Sequence, residues 1–416
     1  MILLRERNDK EKMKKALILT ADAGFGHRAA ANAIADALKR FPDPAIEPVI
    51  INLLDDPSTP RWLRETQSDF DRIVRETPKV YEVAYDQSDK PGPTTVANLG
   101  LAAILYNPLS KAIKDTDPDI VISTYPLYSG PMYAWYMRNE SMIRTKDGEQ
   151  YLGSGQKKKH LPFIQVITDL YSVHAIWFSY SPDCTCVSTD KVRMDAIQFG
   201  CQPGRVICTG IPVRPDLTEI HADKTKIRSL YGMDSKNPLV LAVGSKRVTS
   251  MIDYLNVINH CGFPVQIVMA AGGDDNLYRQ MKEIEWHIPV KIFNYCNTLS
   301  ELMLASDMIL TKAGGLITSE SLAAGLPMLL CDVLPGQEEG NAKVVEDGGA
   351  GKVLHSQLDL LETLCHMLMD NGTKLKFMQQ KAKQIGKPNA ARDISSIAEE
   401  LIREANLSVD EISSLL

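Results

Sequence analysis

Short apolar runs alternate with amphipathic stretches along most of the chain, and this alternation predicts an α/β fold. Residues 16–20 form the first apolar run. A glycine-containing turn follows, and then residues 28–40, whose apolar positions recur at helical spacing. Because another buried strand, residues 46–52, comes next, the order predicts a parallel, doubly wound sheet. The same pattern predicts further strands in the first half at residues 120–123, 163–168, 184–188 and 206–209.

A second series of strands and helices begins after a proline-stiffened exit at residues 210–215. The length of the chain and the two series together predict two Rossmann-like domains, residues 1–215 and 216–388, and a last helical segment, residues 389–416. The strands of the second series are predicted at residues 239–243, 265–270, 290–293, 308–311, 328–331 and 352–354, and its final helices at residues 358–370, 374–385 and 390–404.

Two segments of the first half depart from this alternation. Residues 60–114 form an irregular amphipathic helical pattern, which a predicted turn at residues 90–93 interrupts. Residues 138–160 are polar and contain glycines, so they predict a surface loop.

Composition narrows the possible classes of function. The 416 residues are 44% hydrophobic and 24% charged, which is ordinary for a globular protein. The net charge of -6 and the pI near 5.8 argue against a dedicated nucleic-acid binder. The eight cysteines are scattered, mostly in apolar runs, so we interpret them as buried reduced thiols and not as a zinc site.

The hydropathy of the chain bears on its location. Residues 1–12 are charged and lack the apolar core of a signal peptide. No uninterrupted apolar run approaches the ~20 residues that a membrane span needs. We therefore expect a cytoplasmic protein whose contact with a membrane is peripheral.

The strongest chemical signal lies in residues 311–341, TKAGGLITSESLAAGLPMLLCDVLPGQEEGN. A strand here turns through Gly314 and Gly315 into a helix that Gly325 is expected to end. Such a turn aims free backbone N–H groups and the positive end of the helix dipole at one point, so it predicts a phosphate site that needs no metal. Glycines at tight turns also serve purely steric purposes, so the neighbouring residues decide between the two readings.

Polar side chains surround this glycine pair. Glu320 lies about a turn and a half into the helix, where its carboxylate can accept hydrogen bonds from a ribose diol. Gln337, Glu338 and Glu339 follow the next strand, at the edge where open α/β sheets bind ligands. These three residues are candidates for holding the hydroxyls of a sugar.

The segments KAGG, TSESLAAGLP and PGQEEGN resemble the nucleotide-sugar donor site of glycosyltransferase family 28, in its diacylglycerol glycosyltransferase branch. ADAGFGH and TDLYSVH resemble segments of the same branch, and the resemblance runs from about residue 16 to residue 351. It implies the GT-B architecture, in which two Rossmann-like domains face a cleft and the last helix crosses back to the first domain. It also implies a UDP-sugar donor, a diacylglycerol acceptor and inversion at the anomeric carbon.

An inverting transferase needs a base that takes the proton of the acceptor hydroxyl. His27, which follows Gly26 at the end of ADAGFGH, stands at the predicted start of a helix, where the dipole disfavours imidazolium. Asp169 is the other candidate for the base. Alternatively, Asp169 orients His27, or it is the N-cap residue of a helix. The resemblance assigns Asp169, His174 and Trp177, with Gly26, to the acceptor side of the cleft.

A positive field must stabilise the departing diphosphate. We assign it to the glycine pair of residues 314–315 and its helix, with a contribution from Gly244 and Ser245 at the end of a strand. Here the sequence departs from the family, because the loop reads GSKRVTS and has fewer glycines. Two interpretations stay open: Lys246 or Arg247 supplies charge directly, or the loop is structural.

We predict no catalytic metal and no cofactor. Many sugar transferases with a single Rossmann-like domain hold a divalent ion with an Asp-x-Asp after a strand. The chain contains Asp115, Asp117 and Asp119 in alternation, but these residues come before a strand and around a proline. They are most simply explained as a solvated turn.

A diacylglycerol acceptor lies in a bilayer, so the resemblance also implies docking on a membrane surface. Trp62, Leu63, Phe70, Tyr81 and residues 96–109 are candidates for an amphipathic docking face. The alternative is that these residues complete the core of the first domain, and neighbouring acidic residues weaken the electrostatic case. The basic residues that would meet anionic headgroups are Arg61, Arg64, Arg72 and Arg75.

These observations together predict a metal-independent, inverting glycosyltransferase that moves a hexose from UDP-glucose or UDP-galactose to 1,2-diacylglycerol. The product would be a β-glycosyldiacylglycerol, and the sequence fits both donors. One alternative is transfer to another lipid, such as the polyprenyl-linked acceptor of the peptidoglycan branch. A second alternative is a UDP-sugar-binding regulator without catalysis, which only the altered GSKRVTS loop favours.

Overall fold

A computed structural model of the chain describes residues 13–22, 25–65, 91–139, 142–145, 148–151, 160–171, 173–220, 223–245, 248–334 and 337–406. Within these ranges the chain forms two six-stranded parallel sheets and one two-stranded hairpin. Helices follow most strands, and each sheet has its own hydrophobic cores. The predicted architecture of two α/β domains is confirmed.

The first sheet has the strand order β2-β1-β3-β6-β7-β8. Its central strand β1 is buried on both faces: Leu17 and Leu19 enter one core, and Ala16 and Ile18 enter the other. A strand that is covered on both sides is expected to be apolar throughout, as this one is. The elements of this part of the chain are β1 (Lys15–Leu19), α1 (Phe25–Arg40), β2 (Glu47–Ile51), α2 (Pro91–Thr116), β3 (Ile120–Ser123), α3 (Ser129–Asn139), β4 (Met142–Thr145), β5 (Gly148–Tyr151), β6 (Phe163–Val166), β7 (Cys184–Val187), α4 (Asp190–Gln198) and β8 (Val206–Cys208).

Two local predictions in this domain are wrong. The predicted surface loop at residues 138–160 contains an antiparallel hairpin, in which β4 pairs with β5. The polar, glycine-containing composition of these residues concealed the hairpin. The predicted turn at residues 90–93 is instead the start of α2, because proline is favoured in the first turn of a helix.

The second sheet has the order β11-β10-β9-β12-β13-β14, again parallel throughout. Its strands match the predicted ones within two residues. The carboxyl ends of β9, β12 and β13 lie side by side at one edge of the sheet. The elements of this part are α5 (Asp216–Glu219), α6 (Lys224–Leu230), β9 (Leu239–Val243), α7 (Met251–Asn259), β10 (Gln266–Ala270), α8 (Asp275–Glu283), β11 (Val290–Phe293), α9 (Leu299–Ala305), β12 (Met308–Thr311), α10 (Gly315–Ala323), β13 (Met328–Leu330), α11 (Gln337–Asp347) and β14 (Gly351–Val353).

Two long helical elements end the described chain. In α12 (Gln357–Ile385), residues 370–372 have left-handed backbone angles, which divides the element into two helices as predicted. The last helix, α13 (Ala390–Asn406), returns to the first sheet, where Ile394, Ala398 and Ile402 share a core with Ile34. The domain limits 1–215, 216–388 and 389–416 stay a prediction.

The chain passes between the two domains near Gly210 and again near Lys387, and these two segments pack against each other. Gly210 has a φ of +94°, and a Cβ on it would stand 2.4 Å from the Cβ of Lys387. Arg40 in α1 donates to Asp216 at 2.9 Å and to Glu219 at 2.6 Å. These contacts hold the two domains together where the chain passes between them.

Part of the predicted membrane face belongs to the core instead. Leu63, Leu105 and Leu109 are buried together with residues of the first sheet, so the docking prediction is wrong for them. Trp62, by contrast, is 59% exposed. Phe70, Tyr81, Arg72 and Arg75 lie outside the described residues. None of the described helices combines the length and the hydropathy that crossing a membrane requires.

Candidate active site

His27 lies in the first turn of α1, beyond the carboxyl end of β1. Its Nδ1 atom is 2.8 Å from the backbone oxygen of Thr124 and 2.9 Å from the hydroxyl oxygen of Thr168. Because a carbonyl oxygen can only accept, Nδ1 carries the hydrogen and donates it to Thr124. The neutral ring therefore keeps its lone pair on Nε2, the nitrogen that can take a proton from an acceptor hydroxyl.

The surroundings of His27 favour this neutral form. Burial lowers the pKa of His27 below its ordinary value, and the charge of Asp169 and the hydrogen bond to Thr124 oppose that effect only in part. The rings of Tyr125 and Trp177 lie 5.0 and 6.4 Å from the imidazole, centroid to centroid. The predicted neutral imidazole near pH 7 is supported, with burial as the main cause.

An ion pair that sequence analysis did not single out joins Arg28, the residue after His27, to Asp22. Arg28 donates from Nε and Nη2 to the two carboxylate oxygens of Asp22 at 2.8 and 2.9 Å. A bidentate pair of this kind fixes geometry as well as charge. A Cβ on Gly26 would meet no described atom within 4 Å.

Asp169 follows Thr168 after β6, and its charge acts on the pKa of His27. Its backbone oxygen accepts a hydrogen bond from the hydroxyl of Ser188. The Nδ1 atom of His27 is engaged by Thr124 and Thr168. A backbone oxygen and a hydroxyl oxygen thus contact the ring at this nitrogen.

The other two residues predicted on the acceptor side have clear structural partners. His174 accepts a hydrogen bond through Nδ1 from the backbone N–H of Ile176 at 3.1 Å, and so caps the short helical turn Ala175–Phe178. Trp177 is 2% exposed and packs with Ile167 and Phe178 in the core next to the cleft. The structure thus brings Trp177 to His27 and uses His174 as a cap.

The glycine pair stands where the two domains meet. Gly314 precedes α10 as its N-cap residue, and Gly315 is the first residue of the helix. A Cβ on Gly315 would stand only 2.9 Å from the backbone oxygen of Thr168, so the close approach requires glycine. The N-terminus of the predicted donor helix therefore touches the same threonine whose hydroxyl contacts His27.

Lys312 is a second residue that sequence analysis missed. Its Nζ atom lies 3.4 Å from the position that a Cβ on Gly314 would take, so a positive charge stands beside the N-terminus of α10. The Nζ group donates to Oε1 of Glu338 at 2.8 Å, while Oε2 of Glu338 accepts from the backbone N–H of Leu334 at 3.3 Å. The signal was present in KAGG as a lysine two residues before the glycine pair.

Glu320 lies inside α10 with 8% of its surface exposed. Burial raises its pKa from 4.5 to about 7, and only the charge of Arg214, in the linker between the domains, acts against that rise. The described residues donate no hydrogen bond to its carboxylate. A carboxylate that receives no hydrogen bond from the described residues is suited to a ligand that brings donors, such as a diol.

Gln337, Glu338 and Glu339, the candidates for holding sugar hydroxyls, differ in their surroundings. They open helix α11 and do not extend the strand. Both carboxylate oxygens of Glu338, which is 4% exposed, are taken up by Lys312 and Leu334. Glu339 is exposed, and the side chain of Gln337 lies outside the described residues.

Gly244 and Ser245 begin the loop after β9. A Cβ on Gly244 would stand 2.4 Å from Cδ2 of Leu277, so this glycine has a steric role whatever else it does. Lys246 and Arg247, the two candidate charges of the loop, lie outside the described residues.

The far end of the same loop is held by Asp332, which follows β13. One carboxylate oxygen, Oδ2, accepts from the backbone N–H groups of Thr249 at 2.6 Å and Ser250 at 2.9 Å. The other oxygen accepts from the hydroxyl of Ser250 at 2.8 Å. Asp332 thus ties Thr249 and Ser250 to the segment that follows β13.

Metal-binding side chains are not clustered in the part of the chain that is described: no three His, Cys, Asp or Glu residues there are placed to hold an ion. The eight cysteines are free thiols. Asp119 accepts from the backbone N–H of Lys15 at 3.0 Å, at the opposite edge of the sheet from His27.

These features define a class. Two parallel α/β domains meet at a cleft, with a neutral histidine on one side and a helix N-terminus with an adjacent lysine on the other. This is the arrangement of a GT-B glycosyltransferase.

Comparison with known proteins identifies the family within that class. Residues 148–213 match the monogalactosyldiacylglycerol (MGDG) synthase family, and residues 235–399 match the glycosyltransferase family 28 C-terminal domain. A processive diacylglycerol beta-glucosyltransferase of Bacillus pumilus (strain SAFR-032) is 30% identical over 397 residues, which cover 95% of this chain and 96% of that protein. The chain belongs to glycosyltransferase family 28, in the branch of the diacylglycerol glycosyltransferases, and the predicted resemblance is confirmed.

Two further likenesses agree. A probable monogalactosyldiacylglycerol synthase 3, chloroplastic, of Oryza sativa subsp. japonica is 28% identical over 415 residues, or 97% of this chain and 78% of that protein. The crystal structure of Acinetobacter baumannii MurG superposes with a TM-score of 0.58 at 14% identity, over 93% of this chain and 99% of that one. At 14% identity, the likeness to this crystal structure shows the fold alone.

Proposed function

We propose that the chain transfers a hexose from UDP-glucose or UDP-galactose to 1,2-diacylglycerol with inversion at the anomeric carbon. Both relatives described above are named for transfer to diacylglycerol or for its galactosylated product, which supports the acceptor. The observation that carries the proposal is the double contact of Thr168. Its hydroxyl oxygen lies 2.9 Å from the His27 ring, and its backbone oxygen packs on Gly315 at the start of α10.

The donor is assigned to the second domain, residues 216–388. Its diphosphate would lie at the N-terminus of α10, where free N–H groups, the helix dipole and Lys312 all favour negative charge. The ribose diol would donate to Glu320, a residue that is 8% exposed and whose carboxylate receives no hydrogen bond from the described residues. The sugar hydroxyls would lie near the first turn of α11, which begins at Gln337.

The acceptor is assigned to the first domain, residues 1–215, with residues 389–416 crossing back to it. The free hydroxyl of diacylglycerol gives its proton to Nε2 of His27, and its oxygen forms a bond to the anomeric carbon. The bond from that carbon to the β-phosphate oxygen breaks, and its electron pair leaves with UDP. Asp169 would stabilise the imidazolium that forms, since its charge already raises the pKa of the ring.

Membrane contact is proposed for the first domain as well. Trp62 and Leu99 are 59% and 61% exposed, while Leu63 and Leu105, which neighbour them along the chain, belong to one core cluster of that domain. Exposed large apolar side chains beside a core are suited to shallow insertion between lipid headgroups. We therefore propose that these exposed apolar side chains take part in peripheral docking on a bilayer.

The test is an assay of the purified full chain with vesicles that contain 1,2-diacylglycerol and one radiolabelled donor at a time: UDP-glucose, UDP-galactose or UDP-N-acetylglucosamine. We expect one of the two hexose donors to give a β-linked glycosyldiacylglycerol, and we expect EDTA to leave the rate largely unchanged. Transfer only to a polyprenyl-linked acceptor would overturn the acceptor assignment. UDP binding without any transfer would favour a regulator.

A further inference from the structure

Asn341 joins the two domains through a single side chain. It lies in α11 and is 3% exposed. Its Nδ2 atom donates to the backbone oxygen of Ala313 at 2.9 Å, and its Oδ1 atom accepts from the backbone N–H of Leu170 at 3.3 Å. Because the first partner can only accept and the second can only donate, just one orientation of the amide satisfies both.

The two partners of Asn341 stand at the two halves of the site. Ala313 immediately precedes the glycine pair that opens α10, and Leu170 immediately follows Asp169 in the segment after β6. The amide also lies close to the interdomain contact, since its Nδ2 atom is 3.8 Å from the position of a Cβ on Gly315. One side chain thus ties the turn assigned to the diphosphate to the segment that contacts His27.

We propose that Asn341 is a positioning residue that sets the register between the donor helix and the base. This inference rests on the donor and base assignments proposed above. The reacting carbon is held by one domain and the base by the other, so the distance between them depends on how the domains are fixed together. Asn341 and the Thr168–Gly315 contact act at the same point of that junction.

The choice of amino acid follows from the two hydrogen bonds. An aspartate can accept from Leu170 but cannot donate to Ala313, and a leucine of similar size can do neither. Asn341→Leu removes the bond to Leu170, which crosses between the domains. Asn341→Asp keeps that bond but sets a carboxylate against the backbone oxygen of Ala313, which repels the turn before the glycine pair, so the junction loosens in both variants. A misplacement of ~1 Å at reacting atoms can cost about 100-fold in rate.

The chain offers a matched control in Asn259. This residue is also 3% exposed, and it also makes one donated and one accepted bond to backbone groups, to Glu285 at 2.8 Å and from His287 at 2.8 Å. Both partners belong to the second domain. Asn259→Leu therefore removes an equivalent pair of buried hydrogen bonds without touching the junction.

The experiment compares Asn341→Leu, Asn341→Asp and Asn259→Leu in the vesicle assay, with UDP affinity by calorimetry and the thermal midpoint for each. We expect both Asn341 variants to lower kcat by about 10- to 100-fold while the Kd for UDP stays within about twofold of wild type. Asn259→Leu should lower the thermal midpoint by a similar amount and leave kcat unchanged at temperatures well below that midpoint. Three results would each overturn the proposal. The first is an equal loss of kcat in Asn259→Leu, and the second is an unchanged kcat in both Asn341 variants. The third is a Kd for UDP that weakens as much as kcat falls.

A double variant separates this inference from the base assignment. In the His27→Ala background, Asn341→Leu should lower kcat by less than about threefold, because a residue that acts through the base has little left to affect. If Asn341→Leu lowers kcat as much in the His27→Ala background as in the wild type, Asn341 does not act through His27. If His27→Ala alone keeps the wild-type rate, the base assignment fails, and the comparison with Asn259→Leu still decides whether the junction controls turnover.

Discussion

Replacing Glu320 by Gln should make the protein more stable and a poorer binder of its donor. Glu320 is 8% exposed, and the described residues donate no hydrogen bond to its carboxylate. Burial without a partner favours the protonated form, which is why its pKa is raised from 4.5 to about 7. Glutamine has nearly the same shape and carries no charge to desolvate.

The size of the effect follows from the pKa. Below pH 4.5 the group is protonated in both the folded and the unfolded chain. Between pH 4.5 and about 7 the unfolded chain is ionised while the folded chain holds a proton, so stability falls as the pH rises through this window. Each pKa unit is worth about 1.4 kcal/mol, so the full loss above pH 7 is about 3 kcal/mol, and Glu320→Gln avoids it.

The assay is thermal or urea unfolding of wild type, Glu320→Gln and the exposed control Glu283→Gln at several values between pH 5 and pH 8.5. The advantage of Glu320→Gln should be small at pH 5 and grow to about 3 kcal/mol at pH 8.5, roughly 5–10 °C in thermal midpoint. Glu283→Gln should show no such growth. An advantage that is absent at high pH, or equally large at every pH, would refute the reasoning.

The same variant tests the ribose assignment. Hydrogen bonds from a diol favour the ionised carboxylate, so UDP affinity in the wild type should rise as the pH rises through about 7. In Glu320→Gln the affinity should be lower and this pH dependence should disappear. Unchanged donor affinity at every pH would remove Glu320 from the donor site.

Two further substitutions address the diphosphate site and the junction. Lys312→Gln should weaken UDP binding by about 10- to 100-fold through the loss of a charge-assisted contact. It should also lower the thermal midpoint, because Glu338 is left buried without its cation; adding Glu338→Gln should restore the midpoint and not the affinity, as calorimetry and thermal scans would show. Gly315→Ala puts a Cβ 2.9 Å from the backbone oxygen of Thr168, so kcat should fall at least about tenfold with UDP affinity retained. Gly204→Ala, where a Cβ meets no described atom within 4 Å, should behave as wild type, and an equal loss there would argue against the junction.

The sequence was most informative where periodicity and chemistry coincide. The strands of both sheets could be predicted because a parallel sheet that is covered on both faces demands continuous apolar runs. The turn through Gly314 and Gly315 could be predicted because strand, glycine and helix follow one another without a gap. His27 could be placed in the first turn of a helix for the same reason.

What the sequence could not provide is contact between distant segments. Lys312 pairs with Glu338, and Asn341 bonds to Leu170, across 26 and 171 positions of the chain. No local pattern records such partners, so Glu338 was predicted to hold sugar hydroxyls although both its oxygens are engaged. The apolar run at residues 96–109 was likewise ambiguous, because an amphipathic helix can face a membrane or a core with the same composition.

The central claim is that His27 is the base of a transfer whose donor is bound by the other domain. The most direct test is His27→Ala, assayed for turnover with diacylglycerol vesicles and for UDP affinity in the same preparation. The account predicts a fall in kcat of about 10²- to 10⁴-fold with the Kd for UDP within about twofold of wild type. A wild-type kcat, or a loss of UDP affinity as large as the loss of rate, would contradict it.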